Sequence, residues 1–482
     1  MKTHVSVGIQ ELLERRAPPR VHLVGLRGTG VRSLADFLLC RGWRVGGSDV
    51  AFSEREQQGY AARGVVVQRD HSARNITADL DLVVYSLAVP PDNPERLQAA
   101  SLGIRTVSYV EFLGELTRLM PTLGVAGTHG KTTTCCLLKH VLREAGQGVE
   151  ALCGGRLLQD EPGGASSSAG WLIAECCEFR QAFLGMHPRF AALLGVEPDH
   201  FDCYADTEAL VAAFGEFCGQ LPSEGKLVVN ADSPLAVRAA RGAVCPVEYF
   251  SLQPESCVAA ALSAMWRVDR IQAVPTGMSF RLRGPMGAWT PFHVPLFGAH
   301  QVANTVAAVV LLKTMGVGDA EIQAGLRNFP GVERRFQGRG SYRGWSLWDD
   351  YAHHPSEIEA TLAAARLRFG GHPLTVAFQP HQILRTRKLL PDFARSLAAA
   401  DRVLILPIFA AREHVDEQTV HVARELVDRG NSISSVFEFC PTLDHLRSML
   451  DDTQFNGPKE QQPVFLTLGA GDIDRIFNEL PR

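Results

Sequence analysis

An α/β architecture of three successive units, each built on a parallel sheet, is predicted by three features of the 482-residue chain. Short apolar runs alternate with stretches of helical period; the runs end in glycine-rich or polar turns; and the pattern resets near 116–121 and again near 331–340, where charge, glycine and proline cluster. The expected units are 1–119, 120–334 and 335–482.

In the first unit the strand-like runs are VHLVGL, WRVGGSD, GVVVQRD, DLVVYS and GIRTVS, with the helical stretch VRSLADFLLC after the first. The second begins at LGVAG (123–127), continues into an amphipathic stretch at 131–145, and has apolar runs at 171–177 and 191–196. In the third, WSLWDDYA, LTVAFQP, RVLILPIF, SVFEF and PVFLTLGAG alternate with helical patterns such as PSEIEATLAAARLRF. The segment GGASSSAG (163–170) reads as a surface loop.

Composition narrows the function. Apolar residues make up 46% and charged residues 21%, ordinary for a globular protein. With 48 basic against 52 acidic residues the net charge is −4, so no overall cationic field is available for nucleic acid and any phosphate binding must be local. The N-terminus lacks an apolar signal core, and no apolar run reaches the roughly 18 residues that span a bilayer. A cytoplasmic protein with no membrane partner is expected. The 11 cysteines form no CxxC pair and fit buried free thiols.

The strongest chemical signal is GVAGTHGKTTT (124–134), a strand running into a glycine turn and then a helix that opens with Lys-Thr-Thr. Free N–H groups there can cradle phosphate oxygens; Lys131 would neutralise the β/γ-phosphates and the Thr132 hydroxyl would meet a Mg²⁺ ion. The usual spacing is broken, because Val125 stands where the first glycine belongs, so this is a variant loop. A second turn, GLRGTG (25–30), also follows a strand, but Arg27 occupies the middle glycine of a dinucleotide fingerprint. That argues against NAD and leaves Gly25, Gly28 and Gly30 able to admit a diphosphate, with Asp49 placed for a ribose or base edge.

Metal-bound phosphate needs hard oxygen ligands. Glu175 and Glu178 close the run WLIAECCE and, three apart on a strand, should face opposite sides; Glu178 is the better ligand and Glu175 a supporting or structural residue. In EPDHFD (197–202), His200 is a second metal candidate that Asp199 or Asp202 could orient. DDYAHHP (349–355) gathers two acids, a tyrosine and two histidines at one turn, FQPHQILRTR offers His381, Arg385 and Arg387 for a carboxylate, and His300 and Asn304 share one face of an apolar helix.

Together with GGSD, GVERRFQ and TLGAGDI, these motifs occur in an order that resembles the Mur ligases of bacterial cell-wall synthesis over nearly the whole chain. The resemblance implies an N-terminal Rossmann-like domain for a UDP-sugar, a central P-loop ATPase-like domain and a C-terminal Rossmann-like domain for the incoming amino acid. It implies ATP and Mg²⁺ as cofactors, UDP-N-acetylmuramate and L-alanine as substrates, an acyl-phosphate route to an amide, and a monomer or homodimer. By the same resemblance Gly127, Thr128, His129, Gly130, Lys131, Thr132, Thr133, His300, Asn304, Arg335 and Asp350 serve ATP. Thr132, Glu178 and His200 serve metal; Gly25, Gly28, Gly30, Asp49 and Ser86 serve the UDP-sugar; His381 and Arg385 serve the amino acid. Lys131, Glu178, His200, His353 and Arg385 surround the reacting groups.

Three departures from the family pattern stand out: Arg27 for a glycine, Leu194-Gly195 for Thr-Asn, and Gln382 for an arginine. Loss of a guanidinium at 382 weakens the expectation of L-alanine more than that of ligase chemistry. Competing readings are a recycling ligase that attaches a preformed tripeptide, a catalytically silent precursor sensor and, resting only on the first glycine turn, an NAD-dependent oxidoreductase.

Overall fold

The computed structural model describes residues 8–50, 52–159, 170–199, 203–253, 265–410, 417–452 and 462–480. Three sheets follow one another along the chain. The first contains β1 (Arg20–Val24), β2 (Arg44–Ser48), β3 (Val66–Gln68), β4 (Leu82–Tyr85) and β5 (Thr106–Ser108), ordered β3-β2-β1-β4-β5 and all parallel. The second holds β6 (Thr122–Ala126), β7 (Val149–Leu152), β8 (Trp171–Cys176), β9 (Phe190–Leu193), β10 (Lys226–Asn230), β11 (Val247–Ser251), β12 (Met265–Val274), β13 (Gly277–Arg283) and β14 (Thr290–Val294). Their order is β14-β13-β12-β11-β10-β9-β6-β8-β7, parallel from β7 to β12 and antiparallel through β13 and β14. The third comprises β15 (Gln337–Tyr342), β16 (Trp345–Asp350), β17 (Leu374–Phe378), β18 (Arg402–Ile405), β19 (Phe437–Phe439) and β20 (Val464–Leu468), ordered β15-β16-β20-β17-β18-β19 with β15 antiparallel.

All five residues of β6 are buried, as are those of β17 and β20, because helices cover both faces of a parallel sheet and leave its middle strands no polar side. The antiparallel extension β12–β14 was not among the expected elements. The ten described cysteines are free thiols, seven of them buried. Most of GGASSSAG lies outside the described residues.

The units are joined in two different ways. One apolar cluster runs from Leu12, Phe112 and Leu116 of the first into Phe183, Phe214 and Phe217 of the second. Gly114, on the helix Tyr109–Leu119, permits this approach: a Cβ there would lie 2.6 Å from the Gly185 carbonyl oxygen. The third unit has its own cores around Phe378 and Phe465. It meets the second through polar groups and the segment 332–336, where Arg334 (φ 57°) and Phe336 (φ 45°) are left-handed. Arg334 is pinned to the third unit, donating to the carbonyls of Gly469 (2.7 Å) and Gly471 (3.0 Å), whereas the Glu333 N–H donates back to Arg156 O (2.9 Å).

Candidate active site

β6 ends at Ala126 and the helix Lys131–Glu144 starts at Lys131, so the intervening turn sits at the C-terminal edge of a parallel sheet, where α/β ligands bind. Gly127 (φ 128°) and Gly130 (φ 83°) take conformations that L side chains resist. A Cβ on Gly130 would also run into the Asn304 side chain, and one on Gly127 would lie 2.9 Å from Gly195 O. Thr128 braces the turn: its N–H donates to Gly195 O (2.7 Å) and its hydroxyl accepts from Glu197 N–H (2.9 Å). Gly195 acts here through its backbone, and a Cβ at that position would find nothing nearer than 4.0 Å, so the departure leaves the contact intact.

The Lys131 ammonium folds over the turn, donating to the carbonyls of Gly127 and Thr128 and meeting Glu178 at 2.8 and 3.2 Å. Burial, the largest influence, pulls its pKa down, but the Glu178 charge and hydrogen bond together with the nearby Cys177 and Glu175 outweigh it and hold the ammonium above the usual lysine range. The Thr132 hydroxyl donates to Glu175 Oε2 at 3.0 Å, which also accepts from Gly154 N–H at 2.8 Å. The expectation that Glu175 and Glu178 face opposite ways is therefore wrong. Strand β8 stops at Cys176, the alternation of faces stops with it, and both carboxylates reach the turn. Just beyond, Arg180 (φ 51°) and Gln181 (φ 56°) are consecutive left-handed non-glycines, and Arg180 reaches Leu87 O (3.2 Å) beside Ser86. Sequence gave no sign of this arginine, because backbone handedness is not written in residue type.

Across the turn, a cavity is lined by His300, Asn304, Asn230, Phe250, Arg335 and Asp350. Burial lowers the His300 pKa to about 4 and raises that of Asp350 to about 6. Near neutrality His300 is thus an uncharged, flat surface. Asp350 accepts the N–H groups of Phe336 (2.6 Å) and Ala352 (2.7 Å), tying this wall to the interdomain segment. The glycine cradle, the Lys131 ammonium, the hard oxygens of Thr132, Glu175 and Glu178, and this half-apolar cavity together fit a metal-bound nucleoside triphosphate.

The third unit closes one side. His353 and His381 meet edge to face at 5.8 Å, and burial lowers the His353 pKa to about 4. Arg385, only 4% exposed, is paired with Asp199 of the second unit at 2.9 Å, and its Nη1 lies 3.3 Å from His381 Nδ1. Arg387 is exposed, contrary to its place among the carboxylate-holding candidates: it falls on the outer face of the short helix Ile383–Lys388. Gln382 has φ 69° and caps that helix through its backbone. Ser356 and Glu357 were not among the expected site residues. Ser356 donates to Glu197 Oε2 (2.8 Å), and Glu357 receives His129 Nδ1 (3.0 Å) and the His353 N–H (3.0 Å). A glutamate in the first turn of a helix looks like ordinary capping until its partner, from a distant segment, is in place.

In the first unit, Gly25 (φ 81°) abuts Ser86 and Gly30 abuts the Tyr109 ring, and the helix Thr29–Cys40 starts with no side-chain cap. Its first N–H groups are thus left for an anion. Asp49 accepts from the Arg27 N–H at 3.1 Å, and the Arg27 side chain turns outward to Glu56. The departure at 27 leaves the turn itself open. His200 and Asp202 lie outside the described residues.

Three family models match: the Mur ligase family catalytic domain over 20–120, the Mur ligase middle domain over 125–312, and the Mur ligase glutamate ligase domain over 334–453. The UDP-N-acetylmuramate–L-alanine ligase of Lachnospira eligens is 33% identical over 466 residues, 96% of this chain and 98% of that one. The enzyme of the same name from Rubrobacter xylanophilus is 35% identical over 467 residues, covering 96% and 99%. Among solved structures, the UDP-N-acetylmuramate-alanine ligase of Thermotoga maritima aligns with a TM-score of 0.78 at 23% identity over 95% of this chain and 97% of that one. A murein peptide ligase from Psychrobacter arcticus aligns at 0.70, also with 23% identity, over 96% and 98%.

Proposed function

The chain belongs to the Mur ligase family, and from that premise we propose that it is an ATP-dependent ligase joining L-alanine to the lactyl carboxylate of UDP-N-acetylmuramate in peptidoglycan precursor synthesis. The observation that carries the reading is the phosphate turn itself, with Lys131 and Thr132 each held by a buried or half-buried carboxylate at the meeting point of three units.

In this reading the lactyl carboxylate takes the γ-phosphoryl group of ATP, giving an acyl phosphate and ADP; the amine of alanine then displaces phosphate and forms the amide. Two anions must be brought together. Lys131, released from Glu178 by the triphosphate, offsets part of that repulsion, and the turn's N–H groups offset more. Magnesium, when bound, supplies further charge neutralisation. Thr132, Glu178 and His200 are the residues assigned to it, with Glu175 holding the Thr132 hydroxyl. His300, Asn304, Arg335 and Asp350 receive the nucleoside, and Gly25, Gly28, Gly30, Asp49 and Ser86 receive the UDP-sugar. His353, His381 and Arg385 surround the amino acid, and closure of the third unit excludes water from the acyl phosphate. The assignment implies a cytoplasmic enzyme.

The decisive assay is phosphate release by the full chain with ATP, Mg²⁺ and UDP-N-acetylmuramate, supplied in turn with L-alanine, glycine, L-serine or L-Ala-γ-D-Glu-meso-diaminopimelate. Release should depend on a single amino acid and be greatest with L-alanine. Release with the tripeptide alone would replace this reading by the recycling ligase.

A further inference from the structure

Two histidines, a carboxylate and a hydroxyl converge where the second and third units meet. His129 of the phosphate turn and Glu197, after β9, face His354 and Ser356 at the start of the helix Pro355–Phe369. His129 Nε2 lies 3.6 Å from Glu197 Oε2 and 3.2 Å from Ser356 Oγ, and Glu197 Oε2 lies 3.9 Å from His354 Nδ1. Ser356 Oγ is 2.8 Å from both Glu197 Oε2 and His354 Nδ1. Zinc bonds of about 2.0–2.2 Å to nitrogen and oxygen require tetrahedral edges of roughly 3.3–3.6 Å, a range these five separations bracket.

We propose that His129, Glu197 and His354, with Ser356 or a water as fourth donor, form a site for a divalent transition ion such as Zn²⁺ that bridges the second and third units. This site goes beyond the ligase reading and is separate from the magnesium assigned to Thr132, Glu178 and His200. Two imidazoles among the donors favour borderline ions over Mg²⁺, which prefers oxygen. The other ring nitrogen of His129 is held by Glu357 at 3.0 Å, the carboxylate–imidazole support that orients a metal-binding histidine. His354 is 8% exposed, and its Nδ1, which caps the helix by accepting the Ser356 N–H at 3.4 Å, lies on the cluster side of the ring, so a bound ion would take that lone pair in place of the N–H. Its Nε2 is buried with no hydrogen-bond partner, so no competing acceptor turns the ring away. Binding displaces the His129 proton to solvent. Because the donors come from two units, the ion staples them together.

The test uses the full chain stripped by a chelator, with metal alone and no nucleotide. Zn²⁺ affinity is read by competition with a chromophoric chelator and geometry by the visible spectrum of the Co²⁺ form. One equivalent should bind, Co²⁺ should give the intense bands of a tetrahedral nitrogen–oxygen site, and excess Mg²⁺ should not displace Zn²⁺. His354→Gln and Glu197→Gln should each weaken binding at least tenfold. His354→Cys should keep binding and gain a thiolate-to-cobalt band, which identifies position 354 as a ligand even if the glutamine variant folds poorly. The thermal midpoint of the unsubstituted chain should rise with Zn²⁺ concentration. A pale octahedral Co²⁺ spectrum would overturn the assignment. So would thiolate bands in the unsubstituted chain, which would place the ion among the buried Cys135, Cys136, Cys153 and Cys176, or undiminished affinity in both glutamine variants.

Discussion

Removing Lys131 should damage stability as well as catalysis, and the two effects can be separated. The lysine side chain is 10% exposed and Glu178 only 1%. Lys131→Ala removes the ammonium 2.8 Å from the buried Glu178 carboxylate and the donor to the carbonyls of Gly127 and Thr128. Breaking a buried pair from one side costs about 3–5 kcal/mol. Against a total of roughly 5–15 kcal/mol, and at about 2–4 °C per kcal/mol for a unit of this size, the thermal midpoint should fall by about 6–20 °C. A buried carboxyl that loses the cation beside it is pushed toward its protonated form, raising its folded pKa relative to the parent protein. The penalty is therefore small below about pH 4.5 and grows as pH rises toward 8. In Lys131→Met/Glu178→Gln neither charge remains; that variant should regain most of the midpoint while still releasing no ADP in response to amino acid. Thermal melts at pH 5 and 8, run beside the phosphate-release assay, measure both. A single variant as stable as the parent at pH 8, or a double variant as unstable as the single one, would refute the buried-pair argument; near-normal turnover by either would refute the role in phosphoryl transfer.

Gly130→Ala adds strain of about 1–2 kcal/mol for a left-handed L residue and drives its Cβ into Asn304; ATP affinity should fall at least tenfold with little change in UDP-sugar affinity, and equal affinities by calorimetry would count against the cradle. Docking of the third unit should follow pH. Burial opposes the charge on His129, but Glu357 and Glu197 raise its pKa to about 10, so its contribution is complete below about pH 6.5 and is lost as pH climbs through 10. The His129 ring 3.6 Å away holds Glu197 at about 2, so that contribution is present above about pH 4.5 and lost in strong acid. His300, His354 and Arg335 also face this cluster. The radius of gyration in solution should be smallest near pH 4.5–6.5 and grow toward pH 10, whereas a radius independent of pH would contradict the clasp.

Much of the site was legible because its chemistry is local. The phosphate turn could be read from GVAGTHGKTTT because a glycine turn, a lysine and a threonine within a few residues impose one geometry. The arrangement of Glu175 and Glu178 was misread because faces alternate only while a strand continues, and nothing in WLIAECCE says that β8 ends at Cys176. MWRVDRIQAV, GMSFRLR and TPFHV became an antiparallel extension that a search for alternating strand and helix overlooks. Glu197, Ser356 and Glu357 were hidden for a different reason. Their partners come from another unit, and short sequence windows carry no information about contacts 159 positions apart.

The two junctions differ in what parting them would cost. The first and second share a continuous apolar core closed by the Gly114–Gly185 contact, and separating them would expose Phe112, Phe183 and Leu116 to water at about 25 cal/mol per Å². The third meets the second through Arg385–Asp199, His129–Glu357 and Ser356–Glu197. Each of these charged and polar groups is hydrated again when the units part, so the net cost of separation is far below the strength of the contacts themselves. A reaction that must admit two anionic substrates and then exclude water needs such a reversible seal. Arg334 and Phe336, both left-handed, lie in the segment that joins the two bodies, and Asp350 accepts the Phe336 N–H while lining the cavity beside the turn, so the connecting segment and that cavity share one carboxylate.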